Sequence, residues 1–149
     1  MFLIGVRLTR WWKFPLWLKV AVGIWPMLRS LRASSASGLL SYELIYMRGF
    51  AFVQYWRSFE HLAAFARDPK DRHMRFWSWF NRTVAASGDL GIWHETYPVA
   101  AGHYEAVYGN MPLMGLARAG SLVPMAQKGQ SAAKRLGKPG ADDAAQPFY

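Results

Sequence analysis

LLSYELIYMRGFAFVQYWR, residues 39–57, contains two apolar and aromatic runs separated by a connection of hairpin length. The runs are Leu39–Tyr46 and Phe50–Arg57, and Met47, Arg48 and Gly49 lie between them. Glycine suits the positive φ that tight hairpin turns require. The stretch therefore predicts two strands that pair through a short turn.

The sequence before this hairpin predicts a strand and a helical region. Phe2–Leu8 is short, apolar and followed by a bulky basic segment, which indicates a strand. Pro15 suits the first turn of a helix, and apolar residues then recur at helical spacing from Leu16 to Leu31. Because Pro26 removes a backbone donor inside that run, we expect a kink or a division into two short helices.

Two further helices are predicted after the hairpin. Ser58 is a suitable N-cap for a helix through Arg67, and the Asp68-Pro69 dipeptide ends it. The second is expected over about residues 71–86. One face of this second helix is formed by residues at helical spacing, namely His73, Phe76, Trp77, Phe80 and Val84.

Strands are also predicted at Ile92–Tyr97 and at Tyr104–Tyr108. The order is then β-α-β-β-α-β with an additional strand, which predicts an α+β protein with a ferredoxin-like sandwich. Helices cover one face of such a sheet, and the apolar strands leave the other face to be buried. We therefore expect a homodimer whose two sheets pair as a dimeric α+β barrel.

Length and composition suit one domain. The chain has 149 residues, of which 52% are hydrophobic, and it has no cysteine, which excludes disulfides and thiolate-bound metals. The predicted domain covers residues 1–125. Residues 126–149 are expected to form a flexible basic tail rich in Ala, Gly, Lys and Pro, with little order from about Gln127.

The charge and the N-terminus bear on partners and location. The net charge is +9, but no helix-turn-helix or RNP pattern is present, so a solvated basic surface is favoured over nucleic-acid binding. Residues 1–31 are apolar but are interrupted by five basic residues, so no stable membrane insertion is expected. Surface attachment through this stretch stays open. We expect a soluble, cytoplasmic protein.

Four stretches carry a family resemblance: GVRLTRWWK (5–13); QYWRSFE (54–60) with FARDP (65–69); GIWHETY (91–97); and YEAVYGNMP (104–112). Over about residues 2–120 the chain resembles the DUF4188, or monooxygenase af470-like, family. The resemblance implies a dimeric α+β barrel and monooxygenase-like chemistry. Relatives of this fold differ in cofactor, since some use haem and others use none.

Two histidines are the leading candidates for chemistry. His94 lies within a predicted strand and could bind haem iron or relay protons, although a buried structural histidine is the alternative. His73 lies on the inward helix face, and the resemblance to haem-degrading enzymes implies a proximal ligand on this helix. Its alternative is a histidine near solvent. Arg57 could hold a carboxylate such as a haem propionate, or form a structural ion pair.

Alternation along the predicted strand separates His94 from its neighbours. It places Ile92, His94 and Thr96 on one face of the sheet. It places Trp93, Glu95 and Tyr97 on the other face. Glu95 is included as a catalytic candidate, but it is better explained as a buried or interfacial partner of an arginine, Arg57 or Arg7.

A substrate pocket is predicted between the sheet and the helices, although aromatic side chains at helical spacing more often form a core. The residues expected to line it are aromatic: Trp77, Phe80, Phe76, Tyr55, Trp93 and Tyr97. No Gly-rich dinucleotide loop, G-x-S-x-G or H-E-x-x-H pattern is present. Two hypotheses remain: a monooxygenase-like oxidoreductase, haem-dependent or cofactor-free, that acts on a small apolar molecule, and a non-catalytic dimer that binds haem or an apolar ligand.

Overall fold

The computed structural model describes residues 1–10, 12–69, 72–84 and 87–140. The chain separates into two compact units, with the boundary between Tyr97 and Pro98. In the described ranges, no helix combines the length and apolarity that a bilayer crossing requires.

The first unit is α+β and contains a four-stranded antiparallel sheet. Its strands are β1 (Phe2–Leu8), β2 (Leu39–Tyr46), β3 (Phe50–Trp56) and β4 (Leu90–Thr96). Their order in the sheet is β2-β3-β1-β4, with β1 paired on both sides. This order is compatible with the ferredoxin-like fold predicted from the sequence.

The register of β1 decides which side chains share a face. Phe2 lies between Gln54 of β3 and Thr96 of β4. The next row on this face places Ile4 between Phe52 and His94, and the third places Val6 between Phe50 and Ile92. The opposite face of β1 carries Leu3, Gly5 and Arg7, because side chains alternate along a strand.

Helix α1 (Phe14–Ala33) packs on the face of the sheet that carries Phe2 and Ile4. It is one helix with Pro26 inside it, so the predicted division into two helices is wrong. The carbonyl that loses its donor is that of Val22, which is 60% exposed, and Pro26 is exposed as well. Water can therefore satisfy the freed carbonyl, which allows the helix to continue.

Helices α2 (Phe59–Arg67) and α3 (Arg72–Thr83) follow the hairpin. The predicted caps of α2 are confirmed, because the Ser58 side chain accepts a hydrogen bond from the His61 amide and Asp68 is the C-cap. The ends predicted for α3, at Asp71 and Ala86, lie outside the described residues.

Two apolar clusters join these helices to the sheet. The first contains buried residues of α1, α2 and the hairpin: Leu28, Leu31, Leu39, Phe52, Trp56 and Leu62. The second contains buried residues of α1, α3, β4 and the segment after α3: Val20, Phe80, Val84 and Leu90. The face of α1 away from these clusters is also apolar and exposed, at Phe14, Leu18 and Val22.

The hairpin turn has the positive φ predicted at its glycine. Gly49 lies at φ 159°, and the preceding Arg48 also has a positive φ, at 53°. The amide of Met47 donates to the carbonyl of Gly49 at 2.7 Å, which closes the turn.

Among its described residues, 98–140, the second unit contains three short helices, α4 (Gly115–Ala119), α5 (Met125–Lys128) and α6 (Ala132–Arg135). The strand predicted at Tyr104–Tyr108 is absent, because this exposed segment has no ladder partner and the Tyr108 hydroxyl instead accepts from the Ala117 amide at 3.1 Å. Helix α6 lies within the segment, from about Gln127 on, where the sequence predicts little order, and that expectation stays a prediction. Arg135 holds α6 by an ion pair with Glu105 at 2.9 Å.

Asp89 connects the start of β4 to the end of β1. Its backbone carbonyl accepts from the Thr9 amide at 3.1 Å, and its buried carboxylate lies 2.7 Å from Arg10 and 3.5 Å from Lys13. Desolvation opposes the charged form. The Ser87 hydroxyl and the two cations outweigh that effect and hold the pKa of Asp89 below its ordinary value.

Replacing Asp89 by Asn should destabilise the fold at neutral pH, because the variant loses both ion pairs. A depressed pKa contributes stability that is present above the unfolded-state pKa of about 4 and is lost as pH falls through the folded-state value. The unfolding free energies of the wild type and of Asp89→Asn, measured by urea denaturation from pH 7 to pH 2, should therefore converge in acid. A constant difference across this range would contradict the electrostatic role.

Candidate functional site

A cavity of about 370 Å³ lies between the sheet and the three helices of the first unit. Its floor includes Phe2, Ile4 and Val6, and its walls come from α1, α2 and α3. The lining is mostly apolar, and the volume falls in the range of about 300–1,000 Å³ typical of small-molecule sites. The cavity therefore has the size and surface chemistry of a site for a small organic molecule.

Few polar side chains line this cavity. They comprise an amide, a guanidinium, two imidazoles and a hydroxyl: Gln54, Arg67, His73, His94 and Thr96. Among the described lining residues there is no aspartate or glutamate. The polar part of the lining thus consists of groups that can donate hydrogen bonds, without a fixed negative charge.

Gln54 is the most deeply buried of these groups, with 5% of its surface exposed. Its Oε1 accepts a hydrogen bond from Nε1 of Trp56 at 2.9 Å. Because an indole nitrogen can only donate, this contact fixes the orientation of the amide. The Nε2 group of Gln54 is then the part left to donate to another molecule.

His73 reaches the cavity from the first turn of α3. Its ring lies 5.0 Å from the ring of Phe65, which stacks on Trp56 at 5.6 Å. The Nδ1 atom of His73 is buried. These contacts join His73, through two aromatic rings, to the residue that orients Gln54.

His94 reaches the cavity from β4, where its ring lies 5.7 Å from that of Phe2. The residue as a whole is exposed, so the alternative of a buried structural histidine is wrong. A cavity residue that is also exposed lies at the rim. An imidazole there can exchange protons with solvent and with a bound molecule.

The aromatic residues predicted to line a pocket divide between the two faces. Phe76, Trp77 and Phe80 of α3 line the cavity, and the rings of Trp77 and Phe80 stack 5.7 Å apart. Tyr55 and Trp93 do not line it, because alternation directs them to the opposite face of the sheet.

The other predicted residues also lie away from the cavity. Arg57 is exposed, and its backbone amide bonds to the carbonyl of Gly38. Glu95 accepts a hydrogen bond from the Tyr97 hydroxyl at 2.5 Å, which raises the pKa of Tyr97. Within one chain, the described residues show no ion pair between Glu95 and Arg57 or Arg7, and the Glu95 side chain instead bonds to Tyr97, two residues on. An interfacial arginine partner for Glu95 stays a prediction.

Sequence reasoning missed Gln54 and Arg67 as cavity residues. Alternation along β3 provides a signal for Gln54, since it shares a face with Phe52 and Trp56, where a polar residue is unusual. Arg67 carries no such signal, because its position depends on where α2 ends relative to the sheet.

The chain was compared with protein families, curated proteins and solved structures. Neither a curated protein nor a solved structure matches it. The model of the family described as monooxygenase af470-like matches residues 1–116, which include the whole sheet and all residues of the cavity. The chain belongs to the monooxygenase af470-like family.

Proposed function

We propose that this protein is a monooxygenase-type oxidoreductase acting on a small, mainly apolar organic molecule held between the sheet and the helices. The observation that carries the proposal is the apolar cavity with two imidazoles on its lining, in a chain of this family. Insertion of one oxygen atom from dioxygen leaves the other as water. The two electrons and two protons that form this water come from a reductant and the solvent, or from the substrate itself.

The residues of the cavity have distinct tasks in this proposal. Apolar walls exclude water and strengthen each polar contact inside. Gln54 donates a hydrogen bond to the substrate. His94 at the rim, or His73, accepts or returns the proton that moves during reaction.

The donor set of the cavity lining is compatible with haem as a cofactor. His94 or His73 would hold the iron through an imidazole nitrogen, and Arg67 offers a guanidinium for a propionate. Haem would supply dioxygen activation. Arg57, which lies off the cavity lining, is not assigned that task. A cofactor-free reaction remains the other form of the proposal.

A non-catalytic binding protein is the second candidate. The absence of a carboxylate from the described lining favours it, since few groups there suit acid–base chemistry. In that case the dimer would sequester haem or an apolar ligand without turnover.

We also propose a homodimer formed through the face of the sheet opposite the helices α1, α2 and α3. That face carries the half-buried apolar residues Leu3, Ile45, Val53 and Trp93. Apolar area of this kind favours pairing with a second sheet.

Light scattering should give about twice the 17.0 kDa chain mass. Val53→Glu should convert the protein to a monomer, because it buries a charge between the two sheets. Val22→Glu, on the exposed face of α1, is the matched control and should leave the mass unchanged. A wild-type monomer at micromolar concentration would contradict the barrel interface.

The function is tested by turnover. Aromatic compounds that raise the melting temperature would be incubated with isotopically labelled dioxygen, with and without haem and ascorbate. We expect a product carrying one labelled oxygen atom, detected by mass spectrometry. Ligand binding with no labelled product under either condition would favour the binding protein instead.

A haem titration distinguishes the two histidines. His94→Ala should abolish or strongly shift the Soret band, His73→Ala tests the alternative ligand, and His103→Ala, an exposed residue of the second unit, is the control. Loss only in His73→Ala would move the iron site to α3. A band unaffected by either change would remove both histidines as ligands.

Trp77→Ala should cost less than the about 3–5 kcal/mol expected for a fully packed aromatic residue, because its side chain borders an existing cavity. Trp56→Ala is the control, since that residue is 9% exposed and does not line the cavity. Unfolding free energies and the ligand-induced rise in melting temperature would be measured together. Equal losses in both variants, with unaltered ligand preference, would mean that Trp77 only packs.

A further inference from the structure

We propose that the cavity binds amphiphilic molecules in one orientation, with a carbonyl or carboxylate at the Gln54 end and the apolar part towards Phe80. This inference rests on the cavity of the proposed function and specifies its ligand class. It does not require that the protein be catalytic.

The floor of the cavity has a polar end and an apolar end. The row of the sheet through Phe2 contains Gln54 and Thr96, and the next row contains His94. The third row is entirely apolar, with Val6 between Phe50 and Ile92. The polar floor residues therefore occupy two adjacent rows at one end.

The helices repeat this division. His73 contacts Phe65, and Phe65 stacks on Trp56, so the imidazole lies on the same side as Gln54. Arg67, on the lining, follows Phe65 by two residues in the last turn of α2. Phe80, in contrast, belongs to the apolar cluster that Val6 and Ile92 join.

Helix α3 itself spans the two ends. His73 and Phe80 are seven residues apart, which corresponds to about 10 Å along a helix. A molecule with a polar head and a bicyclic or short-chain apolar body matches this length. A wholly apolar molecule would offer no acceptor to the Nε2 group of Gln54.

The polar end selects hydrogen-bond acceptors. The Nε2 of Gln54 and the guanidinium of Arg67 can only donate, and imidazoles can also donate. No carboxylate in the described lining offers a partner to a ligand cation. Because burying an acceptor without a donor is costly, a carbonyl or carboxylate gains most at this end.

Four naphthalenes of similar shape test the inference: 2-acetylnaphthalene, 2-naphthoate, 2-ethylnaphthalene and 2-naphthylmethylammonium. Dissociation constants would be measured by isothermal titration calorimetry on the full chain. We expect the two acceptor-bearing compounds to bind about tenfold more tightly than the ethyl compound, the size of one buried hydrogen bond. The ammonium compound should bind most weakly.

Variants at Gln54 locate the effect. Gln54→Leu should remove the preference for 2-acetylnaphthalene while leaving 2-ethylnaphthalene affinity within about twofold. Gln54→Glu keeps an acceptor for Trp56, so it preserves the local packing if the leucine variant does not fold. It should make 2-naphthoate the weakest ligand and improve the ammonium compound. Gln127→Leu makes the same chemical change at an exposed site and should alter nothing.

The outcomes separate this inference from the proposed function. If the Gln54 variants lose the preference for acceptor-bearing ligands and the turnover assay yields no labelled product, the inference stands and the proposed oxygenase activity does not. If labelled product forms but the protein shows no preference for acceptor-bearing ligands, the oxygenase activity stands and the inference fails. Equal binding of the acetyl and ethyl compounds, a preference that survives both Gln54 variants, or no binding of any of the four would overturn the inference.

Discussion

The rest of the first unit depends on which alternate side chains of the central strand β1 face the helices. Phe2, Ile4 and Val6 must all face the helices, because they form the cavity floor and contact both apolar clusters. A shift of one residue in the register of β1 would turn them to the opposite face and point Leu3 and Arg7 into the core. Since β1 pairs on both sides, the same shift would displace the partner residues of β3 and β4.

The same side chain, Trp56, stabilises the core and orients a polar group of the cavity. Trp56 is part of the first apolar cluster, stacks on Phe65 and holds the amide of Gln54. One hydrogen bond from the indole to the amide therefore partly offsets the desolvation of a buried glutamine and also orients it. Strand β3, which carries both Trp56 and Gln54, thus serves the core and the cavity together.

Much of the fold could be predicted from the sequence because its signals are local. The short connection between the two apolar runs of the hairpin, the cap at Ser58 and the apolar spacing of α3 each specify structure within a few residues. The errors arose where distant context decides. The helix through Pro26 continues because Val22 faces solvent, and Tyr104–Tyr108 is not a strand because no neighbouring strand is available.

The site was less predictable than the fold. Helical spacing and strand alternation correctly directed His73, Phe76 and His94 to the helix side of the sheet. Neither signal shows which face of a sheet borders empty space, so aromatic residues of both faces were predicted to line a pocket. Arg67 enters the cavity only because α2 ends where it does, and that depends on packing between elements.

The cavity also bears on the response of the protein to pressure. Unfolding eliminates internal voids, so it decreases the volume of the system, and hydrostatic pressure favours the state of smaller volume. A void of about 370 Å³ with mostly apolar walls gives the native state a surplus volume that a solid core would lack. A molecule that fills this void removes the surplus, so the compressibility of the native state itself reports occupancy, independently of colour or chemistry.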